Sequence, residues 1–71
     1  MIISYDEEVD ALYIRFHETT VTTQHLTDSI AADYDQDGKL AGIEILDAMK
    51  HFKDRNVLKQ VVLENVAWSH S

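Results

Sequence analysis

Cysteine is absent from the chain, and with it every disulfide and every thiolate zinc site. Proline is absent too, and the only glycines are Gly38 and Gly42. No repeat, low-complexity tract or linker-like stretch interrupts the sequence, so residues 1–71 are read as a single domain. No apolar run approaches the ~20 residues needed to span a bilayer. The opening Met1-Ile2-Ile3-Ser4-Tyr5-Asp6-Glu7 lacks the basic stretch of a signal peptide and turns acidic at once, so a cytoplasmic location is expected. Basic residues are scarce: 6 Lys and Arg stand against 13 Asp and Glu, a formal net charge of −7. Binding nucleic acid needs Lys and Arg to neutralise phosphates, so neither a nucleic-acid nor a membrane partner is expected. A basic protein or a cation is the natural counterpart of such a surface.

A domain of this length buries only about 60% of the surface its unfolded chain exposes. Its core supplies no more than roughly 3–5 kcal/mol. With no disulfide available, self-association or an oxygen-ligated metal ion is left to supplement it. A homo-oligomer, in its simplest form a dimer, is therefore expected.

The first two thirds of the chain read in twos. Leu12, Ile14 and Phe16 share one face of a strand, and Ala11, Tyr13 and Arg15 share the other. Ile2 to Tyr5 is a shorter run before it, joined through the polar stretch Asp6 to Asp10 as a hairpin loop. Thr20 to Leu26 is threonine-rich and reads as an exposed edge strand, followed by a turn at Thr27-Asp28. Ile30, Ala32 and Tyr34 alternate again, and Leu40 to Leu46 is the most apolar strand. The last third changes period. Asp47 can cap a short helix from Ala48 to about Lys53, with Met49 and Phe52 on its buried side. Leu58, Val61, Val62 and Val66 have helical spacing, although Val61-Val62-Leu63 reads equally as a strand. The fold class expected is α+β: an antiparallel β-meander of four to five short strands over about residues 2–46. One or two short helices over about 47–66 pack on it, and a frayed tail covers 67–71.

One motif carries specific chemistry. Asp33-Tyr34-Asp35-Gln36-Asp37-Gly38, with Glu44 closing it, matches the EF-hand calcium loop. In that reading Asp33, Asp35, Asp37 and Glu44 are the metal ligands and calcium is the cofactor. The flanks argue against it. An EF-hand needs an entering helix, and the residues before Asp33 are rich in threonine with no helical stripe. A hairpin accounts for the same residues. Gln36-Asp37 suit the centre of a type I turn, Gly38 the left-handed position after it, and Asp35 bonds the turn's amides. The hairpin is the favoured reading, with no cofactor and no metal; calcium is the alternative.

No catalytic set emerges. His17, His25, His51 and His70 are scattered without the close spacing of a metal pair. Thr23 and His25 share a strand face, but a nucleophile also needs an orienting acid. Arg15 and Glu44 sit mid-strand among apolar residues and suit an ion pair if their strands are neighbours. With Tyr13 they form the candidate interaction face, a composition typical of protein interfaces.

Two blocks carry a family resemblance. Tyr5-Asp6 with Asp10-Ala11-Leu12-Tyr13-Ile14 forms the first. Tyr34-Asp35-Gln36-Asp37-Gly38 with Gly42-Ile43-Glu44-Ile45-Leu46-Asp47-Ala48 forms the second. Together, over residues 2 to about 50, they resemble the small prokaryotic family called domain of unknown function 2283 (DUF2283). The resemblance implies a compact sheet with the Asp-Gly segment as a hairpin turn, and it supplies no catalytic residues. Members encoded beside small toxin-like proteins imply an antitoxin-like role. The function expected is a non-catalytic protein-interaction module that binds a small basic protein.

Overall fold

The structure is a computed structural model that describes residues 1–64. Five antiparallel strands form one sheet: β1 (Ile2–Asp6), β2 (Ala11–Arg15), β3 (Thr22–His25), β4 (Ile30–Tyr34) and β5 (Leu40–Ile45). A four-residue helix α1 (Ala48–His51) and a 3-10 turn (Arg55–Leu58) follow. The strand order is β1-β2-β5-β4-β3. The expected meander therefore holds from β1 to β2 and from β3 through β5, but breaks between them. After β2 the chain jumps to the far edge, and β5 returns to pair with β2. Side-chain character explains the order. β5 and β2 are rich in apolar residues and take inner positions, while β3, Thr-Thr-Gln-His, is exposed at every residue and takes an edge.

Direct pairing places residues on common faces. Ile3, Ile14, Ile43 and Ala32 form one row across β1, β2, β5 and β4, and Tyr5, Leu12, Ile45 and Ile30 form a second. These rows make an apolar face. Ser4, Tyr13, Glu44, Ala31 and His25 form a row on the opposite, polar face, next to Arg15, Gly42, Asp33 and Thr23.

The hairpin between β4 and β5 has the anticipated chemistry. Gly38 turns left-handed at φ 76. Asp35 Oδ1 accepts from the amides of Asp37 and Lys39, each at 2.9 Å, and the Gly38 amide donates to the Asp35 carbonyl at 3.0 Å. These amides hold the Asp35 carboxyl below the usual carboxylate range, led by the bond from Lys39.

The region after β5 differs from expectation. Asp47 stands at the helix N-cap but is left-handed (φ 50, ψ 46) and makes no side-chain cap bond. Asp10 caps instead, from the β1–β2 loop. Its carbonyl accepts from the Ala48 amide at 2.9 Å, and its carboxylate accepts from the Met49 amide at 3.2 and 3.3 Å. The same carboxylate accepts the Tyr5 hydroxyl at 2.5 Å, and that bond raises the pKa of the phenol. The helix stops at His51, short of Lys53, because Phe52 is extended. The helix expected through residue 66 is not formed over the described residues beyond Leu58. Val61, Val62 and Leu63 stand exposed, and an apolar stripe without a surface to bury against does not sustain a helix. The tail at 67–71 lies outside the described residues.

The core is thin. Its buried apolar members are Ala11, Leu12, Ala31, Ala32, Ala41 and Ala48, and no large side chain among the described residues is fully buried. The layer expected from C-terminal helices is reduced to α1 and the 3-10 turn, so the fold is mostly β.

Two substitutions test this account by urea denaturation. Gly38→Ala should cost about 1 kcal/mol, with or without calcium, because the cost is backbone strain and nothing lies within 4 Å of the added methyl. Asp10→Ala should cost about 2 kcal/mol by orphaning the Met49 amide and straining a left-handed residue (φ 54), while Asp10→Asn should recover most of that loss.

Candidate functional site

The most structured part of the surface is the middle of the polar face. β5 places Glu44 there, opposite Tyr13 of β2 and Ala31 of β4. One pair along, Gly42 lies between Arg15 and Asp33. Gly42 is required by close approach. A Cβ at this position would stand 2.9 Å from the Ile14 carbonyl oxygen and 3.3 Å from Asp33 Oδ2. The space left by hydrogen lets the Asp33 carboxylate lean in over β5.

Asp33 is the buried charged residue of the described structure, 8% exposed. Its Oδ1 accepts the Thr23 hydroxyl from β3 at 2.5 Å. Glu44 is its diagonal neighbour. Burial pushes the Glu44 carboxyl up, and hydrogen bonding to Asp33 together with the Asp33 charge pushes it further; His25 opposes them weakly. Thr23 and Asp33 thus link β3 and β4 through side chains, with Glu44 of β5 diagonally adjacent.

Two open cavities flank the pair. One of about 290 Å³ is lined by Tyr13, Ile14, Arg15, Asp33, Ile43 and Glu44. The other, of about 320 Å³, shares Arg15 and Asp33 and reaches the β2–β3 crossover at His17, Glu18 and Thr19.

The structure thus brings the expected Tyr13, Arg15 and Glu44 to one face. Arg15 and Glu44 lie on neighbouring strands, but they do not form the anticipated ion pair. Arg15 lies 3.5 Å from Glu18 on the crossover, and Glu44 turns to Asp33. The four candidate calcium ligands are divided. Asp33 and Glu44 meet on the sheet, whereas Asp35 serves the turn, with His17 Nε2 3.4 Å away. Ile30–Tyr34, where an EF-hand has its entering helix, is β4. Among the described residues no group of three or more His, Cys, Asp or Glu side chains is placed to hold a metal ion. Thr23 is engaged by Asp33, so its bond is not to His25. The roles of Thr23 and Gly42 were missed by sequence reasoning. A glycine within an apolar strand was the available signal for Gly42; Thr23 had none.

With the sheet and its polar face defined, the family can be assigned. The profile of the family described as protein of unknown function (DUF2283) matches residues 2–48. The chain belongs to this family. The DUF2283 match spans every strand and ends on the first residue of α1. No curated protein and no solved structure matches the chain.

In this DUF2283 protein the carboxyl pair carries a pH signature. Glu44 has its folded-state pKa raised above the ordinary 4.5, so its stabilising contribution is complete below that value. It is lost as pH rises through the raised value. Glu44→Gln, which keeps a neutral hydrogen-bonding group there, should leave stability unchanged at pH 4 and raise it at pH 7. Urea midpoints across that range provide the check; equal midpoints at pH 7 would contradict the raised Glu44 pKa.

Proposed function

We propose that this DUF2283 protein is a non-catalytic interaction module. It self-associates, and it engages a small basic protein through the polar face of its sheet. The observation that carries the reading is the Asp33–Glu44 pair beside Tyr13 in an open cavity, on a chain with a large excess of acid. A guanidinium suits such a pair because charge-assisted bonds to carboxylates are short and strong, and tyrosine supplies rigid contact area at interfaces. An arriving cation also favours the ionised form of Glu44, whose pKa burial and Asp33 raise. An antitoxin-like role, in which a small basic toxin is the partner, is one form of this activity.

Self-association follows from the thin core. Ile2, Ile3, Val21, Leu26 and Leu40 are each at least 40% exposed, a large apolar surface for so small a domain. No helix among the described residues is long and apolar enough to cross a membrane.

The reading is tested by co-expressing the tagged protein with basic products of adjacent genes and measuring affinity across pH. Affinity should rise as pH rises, and Glu44→Lys should abolish capture while Glu8→Lys, far from the cavity, leaves it intact. A partner retained equally by both variants would remove the polar face from the contact.

A further inference from the structure

Among the described residues the sheet has two edges of different character that no further strand covers. β3 is short and polar, and every residue in it is exposed. β1 is longer, pairs with β2 in unbroken register, and has no proline, lysine or bulge; Asp6 at its end is its one charged residue. Its apolar residues are also exposed, Ile2 at 47% and Ile3 at 40%. Both apolar rows of the sheet end on this strand, at Ile3 and Tyr5.

We propose that β1 is the self-association surface, pairing antiparallel with β1 of a second copy across a two-fold axis at Ser4. This inference rests on the self-association proposed above and specifies its geometry. The strand is its own complement in that arrangement. With Ser4 opposite Ser4 of the second copy, Ile3 lies opposite Tyr5 and Tyr5 opposite Ile3, both on the apolar face. Aromatic and β-branched residues are a favourable cross-strand pair. Ile2 then lies opposite Asp6, so the acidic corner Asp6-Glu7-Glu8 of each copy sits beside the apolar end of the other. A parallel pairing would bring the two acidic corners together, a like-charge arrangement that disfavours it. The antiparallel contact is isologous, so it closes after two copies and does not propagate. The five-stranded sheets join into one of ten strands, and the apolar rows run unbroken through the axis. β3 offers no such match: its Thr-Thr-Gln-His has no apolar residue to extend either row.

The absence of cysteine makes the geometry directly testable. Residues opposite one another in an antiparallel pair have Cα atoms about 4.5–5.5 Å apart, within disulfide reach. Ser4→Cys should therefore form a covalent dimer under mild oxidation, seen on a non-reducing gel. Gln24→Cys at the β3 edge should give no cross-linked band under the same conditions. Ile3→Lys should weaken the dimer about tenfold by removing two symmetry-related Ile–Tyr pairs, with the circular dichroism spectrum unchanged. A dimer by light scattering that the Ser4→Cys substitution fails to cross-link would overturn the edge and leave self-association standing. A monomer at all concentrations would overturn both.

Discussion

The position of β5 between β2 and β4 depends on one missing side chain. At Gly42 the backbone of β5 approaches the Ile14 carbonyl and the Asp33 carboxylate so closely that a methyl group would stand 2.9 Å from the first. Backbone cannot yield as a flexible side chain does, so any larger residue would push the inner strands apart. The same gap admits Asp33 to the sheet surface, where Thr23 binds it and Glu44 lies diagonally across on β5. Architecture and candidate site thus share a single steric condition. The irregular register at Asp33 and Tyr34 lies beside it, where the ladder adjusts to the hairpin.

What was legible in the sequence is what local chemistry determines. Period-two alternation located β2, β4 and β5 because one face of each is apolar, and threonine enrichment identified β3 as an edge. Asp35, Asp37 and Gly38 specified their turn, since the bonds involved span at most four residues. Strand order was not legible. Alternation states which side of a strand is apolar, but not which neighbour it meets, and an antiparallel sheet admits several orders. The cap on α1 was hidden for a related reason: Asp47 has the right type and place, yet the acceptor comes from Asp10, thirty-nine residues from Met49. Apolar spacing beyond Leu58 suggested a helix, but spacing alone does not provide a surface to cover.

At the candidate site the legible part was the common face of Tyr13, Arg15 and Glu44, which alternation and a β2–β5 neighbourhood suffice to produce. The partners of Asp33 required the register of β4 against both neighbours. Chemically the polar face carries an acidic pair, Asp33 and Glu44, while the opposite face is apolar and lightly covered. A sheet whose buried members are mainly alanines gains little from its own interior. Much of its apolar surface, Ile2, Ile3, Leu26 and Leu40 among it, is left exposed.

The jump from β2 to the far edge also has a kinetic meaning. The β1–β2 hairpin and the β3–β4–β5 meander are each built from neighbours in sequence, so each can assemble locally and quickly. Their union waits for Leu12 to find Ile45 and for Arg15 to find Gly42. Closing that long loop is the slow, entropy-limited step. On the ribosome, the first hairpin must persist with an unpaired inner edge until β5 emerges. The topology thus sets a period during synthesis when the inner edge of β2 is open to other strands.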